Sequence, residues 1–350
     1  MLKLIHCADV HLGSKMEAKL PKEKAEERRG EVRKTFHRMV EFAKKEGVRA
    51  ILLAGDIFDS DRPLKRDKEF FYDVVKGNPE IDFLYLRGNH DLTEQTETLE
   101  NLKYFSSEWT QYSYGDLSVA GIELNSENET SAYSTLSLDE NKKNLVVLHG
   151  QVGDGSGKIS LSKLRSKYID YLALGHIHSF EDGVLDDRGR YAYSGCLEGR
   201  GFDETGKKGF VLLEIEEKIS YRFIPYCQSV INEIFVEVSG VSTAYEAAEK
   251  VRETGLSKDE IYRVILTGEL DARIGLLKES VEGYLKEDCA FIRVKDETKK
   301  RIAVEEYEAD TSIRGEFVRL VHASEELSEE DKATILNLGL SALKGGEVEV

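Results

Sequence analysis

Three things this chain has little of narrow what it can be. Its four cysteines (Cys7, Cys196, Cys227, Cys289) lie far apart and include no CxxC pair. That excludes a zinc knuckle and argues against a disulfide framework, leaving reduced, buried thiols. Basic residues are in deficit: 49 Lys and Arg face 66 Asp and Glu, a formal charge of −17. Such a chain does not bind nucleic acid through bulk charge, so contact with DNA would need a local basic strip, bound cations or a partner. No apolar stretch approaches the roughly 20 residues of a membrane helix. The first apolar run is short and ends at the acidic Asp9, which does not read as a signal peptide. A soluble, cytoplasmic protein with no membrane association is expected. Low-complexity segments and internal repeats are also missing.

What is present is a graded series of motifs that holds five of the eight histidines. In order they are Asp9-Val10-His11, Gly55-Asp56-Ile57-Phe58-Asp59, Gly88-Asn89-His90-Asp91, Leu148-His149-Gly150 and Gly175-His176-Ile177-His178. Each starts where an apolar run stops: Leu2 to Cys7, Ala50 to Ala54, Phe83 to Leu86, Leu145 to Leu148, Tyr171 to Leu174. Short apolar runs bounded by glycine and polar residues read as buried strands. Groups just past the C-terminal ends of such strands converge on one rim, where open α/β sheets place their chemistry. Any one motif alone is weak, since Asp-x-His or Asn-His-Asp is commonly a turn or a cap. Five in order describe one site.

Phosphodiester hydrolysis needs a nucleophile, neutralisation of phosphate charge, and a proton for the leaving alkoxide. Two divalent cations about 3.5–4 Å apart supply the first two. A mixed His, Asp and Asn donor set suits manganese first, with iron or zinc as alternatives, over all-oxygen magnesium. Asp56, preceded by a glycine that lets the backbone turn sharply, is the candidate bridging carboxylate. Asn89 offers a neutral carbonyl oxygen that does not compete with substrate phosphate.

These motifs resemble those of the calcineurin-like metallophosphoesterases, and Ala8-Asp9-Val10-His11-Leu12-Gly13 resembles their SbcD-type DNA repair exonuclease branch. The resemblance covers roughly Met1 to Ile215. It implies that Asp9, His11 and His178 hold one metal, that Asn89, His149 and His176 hold the other, and that Asp56 bridges them. It also implies that His90 faces the scissile phosphate as proton donor, and that the nuclease works on DNA ends with an SMC-like, SbcC-type ATPase. A homodimer is a further candidate assembly. One position departs: the repair nucleases commonly carry histidine where this chain has Asp59. The version here resembles phosphoprotein phosphatases, whose carboxylate orients the acid histidine, so Asp59 is expected to pair with His90 and keep it protonated.

Other candidates are weaker. Asp91 reads as a partner to His90 or a backbone cap rather than a ligand. Arg200, in the loop Glu198-Gly199-Arg200-Gly201-Phe202, is a candidate phosphate contact weighed evenly against a structural salt bridge. His6, His37 and His322 have no motif around them. Lys299-Lys300-Arg301 reads as a solvated turn.

The expected architecture is α/β: a metallophosphoesterase β-sandwich flanked by helices over 1–227, a small α+β cap domain over 228–310, and C-terminal helices over 311–350. Val32, Phe36, Met39, Val40 and Ala43 recur at helical spacing, so their helix lays one face on a sheet. The cap is read as strand Glu233 to Val238, helix Ala244 to Val251, strand Tyr262 to Leu266, helix Ile274 to Leu285 and strand Ala290 to Val294. The last two helices carry Phe317, Leu320 and Val321, then Leu336, Leu340 and Leu343, with Gly345 and Gly346 as the stop. A two-metal DNA exonuclease is the leading expectation. A phosphodiesterase or phosphatase on a smaller ester is the second, favoured by Asp59 and the acidity. A non-catalytic metal scaffold is the third, opposed by His90, which a structural site does not need.

Overall fold

The structure is a computed structural model that describes residues 1–16, 22–91, 98–271, 278–301, 304–307 and 309–343. Two compact units make up the chain, Met1–Ile231 and Asn232–Val350.

Two six-stranded sheets build the first unit. The parallel strands of the first sheet are β1 (Leu2–Cys7), β2 (Ala50–Ala54), β3 (Asp82–Leu86) and, at its edge, β4 (Leu102–Tyr104). The second sheet is built from β5 (Thr110–Tyr114), β6 (Leu117–Gly121), β7 (Lys143–His149), β8 (Tyr171–Gly175), β9 (Glu181–Val184) and β10 (Arg190–Tyr193). Its strands β6, β7, β8 and β10 are parallel, with β5 and β9 antiparallel at its edges. Antiparallel β11 (Gly209–Ile215) and β12 (Ile219–Pro225) complete the first sheet beside β1. All five apolar runs that precede a motif are strands, and all five are interior strands.

One hydrophobic cluster contains Leu4, Leu52 and Leu84 from the first sheet and Leu117, Val119, Leu145, Val147 and Ala173 from the second. The sheets therefore face each other as a sandwich, and alternate residues along each strand enter the shared core. The other face of the first sheet is covered by α1 (Lys22–Glu46) and α2 (Lys65–Lys76). On α1 the stripe Val32, Phe36, Met39, Val40 and Ala43 is buried, while Lys34, His37, Arg38 and Glu41 are exposed. Phe36 meets Phe71 of α2, which in turn meets Phe58 and Tyr85. A second cluster, with Val146, Leu148, Leu172 and Leu174, lies on the outer face of the second sheet beneath α3 (Ala132–Thr135) and α4 (Leu161–Leu164). There the single tryptophan, Trp109, donates its indole N–H to the carbonyl of Ala132 at 2.8 Å.

The second unit follows the expected order. A three-stranded sheet holds β13 (Ile231–Glu237), β14 (Ile261–Thr267) and β16 (Phe291–Asp296), with helices α5 (Ala244–Arg252) and α6 (Lys278–Leu285). The expected start of α6 at Ile274 lies outside the described residues, as do Gly345 and Gly346. A short parallel pair, β15 (Glu269–Asp271) and β17 (Lys299–Arg301), occupies the place read as a solvated turn. The last two helices are α7 (Ile313–Ala323) and α8 (Glu329–Leu343). Their shared core uses Val318, Leu336 and Leu340, packed by Phe317 and Val321. Leu320, expected on that stripe, is 64% exposed because Val318 takes the inward position. Among the described residues no helix is long and apolar enough to cross a membrane.

His6 is a core histidine that ties the sheets together. Nδ1 lies 3.0 Å from the Tyr171 hydroxyl and Nε2 lies 3.1 Å from the Leu174 carbonyl, both on the second sheet. Burial pushes its pKa down to about 3, against a smaller upward pull from the Leu174 carbonyl. The unfolded chain takes up this proton near pH 6.5, whereas the folded chain takes it up only near 3. Below about 6.5 the unfolded state therefore binds more protons, and stability falls as pH is lowered. His6→Gln keeps a donor and an acceptor without titrating. Urea unfolding followed by circular dichroism at a series of pH values should show a shallower loss between pH 6.5 and 3 in the variant. The difference should approach ~1.4 kcal/mol per pH unit; parallel profiles would show that His6 does not govern this range.

Candidate metal centre

The loops that leave β1 and β2 are zipped together by backbone hydrogen bonds. Asp9 N donates to Gly55 O at 2.9 Å, His11 N to Asp56 O at 3.0 Å and Leu12 N to Ile57 O at 2.8 Å. Four motif residues, Asp9, His11, Asp56 and His176, hold positive φ values of 52°, 51°, 54° and 104°. Non-glycine residues rarely adopt that region, and they hold it where surrounding structure over-determines them, as at functional sites. Close approach also requires glycine. A Cβ on Gly88 would lie 2.1 Å from Oδ1 of Asp56, and one on Gly175 would lie 1.9 Å from the Ala54 carbonyl.

The result is a cluster drawn from the ends of both sheets. Nε2 of His11 and Nε2 of His178 are 3.2 Å apart. Asp9 accepts the His176 N–H on both carboxylate oxygens, at 3.0 and 2.9 Å, and its Oδ1 is 3.8 Å from His178 Nε2. His149 Nε2 is 2.9 Å from Oδ1 of Asn89 and 3.4 Å from Oδ2 of Asp56. The rings of His149 and His176 meet edge to face at 5.4 Å. Two groups of ligand atoms lie within 4.8 Å of one another, Asp9 with His11 and His178, and Asp9 with Asp56 and His149. Asp9 is common to both groups.

The far nitrogens of three histidines face groups that orient their rings. His149 Nδ1 lies 2.9 Å from the Ala54 carbonyl and can only donate to it. Nδ1 of His178 lies 2.7 Å from Glu204, and Nδ1 of His11 lies 3.0 Å from Asp59. With Nδ1 donating, Nε2 of His149 is the nitrogen left for a metal, which is the arrangement that metal-binding imidazoles adopt. Two Nε2 atoms 3.2 Å apart are held together by a proton or a cation shared between them, and with Asp9 beside them this donor set fits a metal.

The electrostatics lead to the same requirement. Burial lifts the Asp9 carboxyl to about 7, although His149, His178 and the His176 N–H pull it down. Burial also works against Asp56, yet the hydrogen bond and charge of His149 and the His90 N–H hold it down to about 2. His149 mirrors this: burial disfavours its charge, but Asp56 and Asp9 raise it to about 9. Carboxylates this deeply buried need cations or donors around them.

His90 stands apart from the cluster. It is exposed, its backbone N–H donates to Asp56 Oδ1 at 2.9 Å, and its ring lies 5.5 Å from that of His11. The expected pairing of Asp59 with His90 is not formed. Asp59 Oδ1 lies 3.0 Å from His11 Nδ1 and accepts from Arg200 at 2.8 Å, because the β1 and β2 loops run side by side and place Asp59 behind His11. Asp91 is a backbone cap: its carboxylate accepts from Ile57 N at 2.9 Å and Phe58 N at 2.8 Å. Burial raises its pKa to about 6, against those two N–H groups. Arg200, the candidate phosphate contact, has all three guanidinium nitrogens engaged by Glu204 and Asp59. Glu204, which links His178 to Arg200, carries no signal in the sequence.

Beside Asn89, His149 and His176 opens a cavity of about 850 Å³, walled by Arg87, Glu123, Gln151 and Lys158 among others. It reaches the cluster directly through Asn89, His149 and His176.

Several known proteins are similar to this chain. The DNA double-strand break repair protein Mre11 of Sulfurisphaera tokodaii is 26% identical over 332 residues, covering 85% of this chain and 82% of that protein. The Mre11 protein of Sulfolobus acidocaldarius is 22% identical over 382 residues, covering 96% and 97%. The SbcD component of the SbcCD nuclease of Staphylococcus saprophyticus is 26% identical over 275 residues, covering 64% and 69%. The model of the calcineurin-like phosphoesterase family matches residues 2–180. That segment holds every motif from Asp9 to His178, so this chain belongs to the calcineurin-like phosphoesterases, metal-dependent hydrolases with a dinuclear centre.

Proposed function

We propose that the chain is a phosphodiesterase that degrades DNA from its ends, with two divalent ions, manganese in the first instance. Asp9, His11 and His178 hold one ion and Asn89, His149 and His176 the other. Asp56, whose Oδ2 lies 3.4 Å from His149 Nε2 and which groups with Asp9 and His149, would bridge them. The observation that carries the DNA reading is the extent of the likeness. Similarity to a DNA double-strand break repair protein runs over 96% of the chain, well past the family segment and through the second unit. Because the chain carries a charge of −17, an SMC-like ATPase partner would supply much of the DNA-binding surface.

Ions bound there supply Lewis acidity and neutralise phosphoryl charge. The protein's own groups do the rest. The Ala54 carbonyl and the carboxylates of Asp59 and Glu204 aim three of the imidazoles, and Asn89 offers an oxygen without adding negative charge. His90, exposed at the edge of the cluster and held by its backbone to Asp56, is placed to donate a proton to the leaving oxygen. The cavity beside Asn89 and His149 gives room for the chain flanking the scissile bond.

Purified protein with manganese, assayed on end-labelled linear DNA beside bis-p-nitrophenyl phosphate, tests the reading. Shortening from the ends supports it; turnover of only the small ester replaces it with a phosphodiesterase on a smaller substrate. Binding to DNA by the chain alone should be weak and steeply salt-dependent. Asp56→Asn should lose most bound metal and nearly all turnover, and elemental analysis showing two ions retained with normal activity would remove Asp56 from the centre. His90→Ala should keep both ions and slow hydrolysis of alkyl esters by roughly 10²–10⁴-fold. The loss should shrink for nitrophenyl esters, whose leaving group needs no proton; equal losses would assign His90 a different task.

A further inference from the structure

The two halves of the cluster are aimed by different means. On one side His149 is set by the carbonyl of Ala54, the last residue of an interior strand. On the other side no backbone carbonyl meets Nδ1 of His11 or His178 at hydrogen-bonding distance among the described residues. Each faces a carboxylate instead, Asp59 at 3.0 Å and Glu204 at 2.7 Å. One guanidinium joins the two carboxylates. Arg200 gives NH1 to Asp59 at 2.8 Å, and Nε and NH2 to Glu204 at 3.0 and 2.7 Å, and its NH2 also lies 3.0 Å from His178 Nδ1. With the 3.2 Å approach of the two Nε2 atoms, the residues close a ring: His11, Asp59, Arg200, Glu204, His178.

We infer that Arg200 is a positioning residue, a clasp that holds Asp59 and Glu204 against the two histidines and so sets the affinity of one ion, not both. The inference rests on the proposed ligand sets and assigns the clasp to the His11–His178 ion alone.

Three features support it. The clasp needs a planar fork, because a single point charge cannot meet two carboxylates on two sides with fixed directions. The base of its loop is set by the fold. Glu198 accepts from Thr35 Oγ1 and from Gln228 N, both at 2.6 Å, and lies beside the fully buried Arg28 of α1. Finally, the clasp borders solvent: a cavity of about 590 Å³ is lined by Ser14, Lys15, Asp59, Arg200 and Glu204. His149 is aimed by strand backbone and His11 and His178 by side-chain charge, so loss of the clasp acts on the second ion alone.

The test is manganese titration of the full chain followed by electron paramagnetic resonance and elemental analysis, on wild type, Arg200→Lys, Arg200→Gln and Glu204→Gln. Wild type should bind two ions and give the signal of a coupled pair. Each variant should keep one ion at unchanged affinity and bind the second roughly 10–100-fold more weakly, the usual effect of removing a group that orients a metal ligand. At intermediate manganese it should show the six-line signal of an isolated ion. Arg200→Lys keeps the charge without the fork and should fail as Glu204→Gln does. Coupled pairs of wild-type affinity in Arg200→Lys and Glu204→Gln would overturn the clasp while leaving the two-ion reading intact. Equal weakening of both ions in folded variants would overturn its selectivity. A wild-type chain that never binds a second ion would instead overturn the ligand sets themselves.

Discussion

Two carboxylates, Asp9 and Asp56, sit almost without water where the ends of two sheets meet, 1% and 2% exposed. An ionised carboxylate in that position costs several kcal/mol unless donors and positive charge surround it. Much of the local architecture answers that requirement. The N–H groups of His176 and His90 point at the carboxylates, three imidazoles crowd around them, and glycines at 88 and 175 clear the space. The left-handed backbone at Asp9, His11, Asp56 and His176 is a further cost of the same arrangement. A cation at the centre would relieve the buried charge, so metal binding and local stability are coupled.

The sandwich explains why the site lies where it does. Strands β1, β2 and β3 of one sheet and β7 and β8 of the other end on the same rim, so each sheet contributes donors. A single sheet could not place His149 and His176 opposite Asp9 and Asp56. His6 fastens the sheets from within, three residues before Asp9, and couples the core to the rim.

The strands and the donors are legible in the sequence because both are local signals. An apolar run stops, and a ligand type follows within two or three residues, as at Cys7 and Asp9 or Leu86 and Asn89. The partner of a donor is a different matter, since it is chosen by which loops run side by side. Motif resemblance pairs Asp59 with His90, yet the bonds between the β1 and β2 loops deliver it to His11. Glu204 sits in an irregular segment between β10 and β11 with no periodicity and no motif, and only the fold brings it to His178. Edge strands such as β4 and β9 are short and half polar, so nothing in their pattern separates them from loops. On α7, Leu320 and Val318 both fit an apolar stripe, and only packing against α8 decides which one turns inward.

Trp109 gives the molecule an optical property of its own. It is the single indole in the chain, and its N–H is bonded to Ala132 in the same excursion between β6 and β7 that supplies Leu124, Asn125 and Glu129 to the wall of the cavity beside His149. Tryptophan emission from the whole protein is therefore the emission of one place. Its colour and intensity follow the polarity and rigidity around Trp109 and Ala132, with no tryptophan background from elsewhere in the chain. A substrate that shifts this excursion on entering the cavity would change that emission without a label, in the intact protein and in any variant that leaves Trp109 in place.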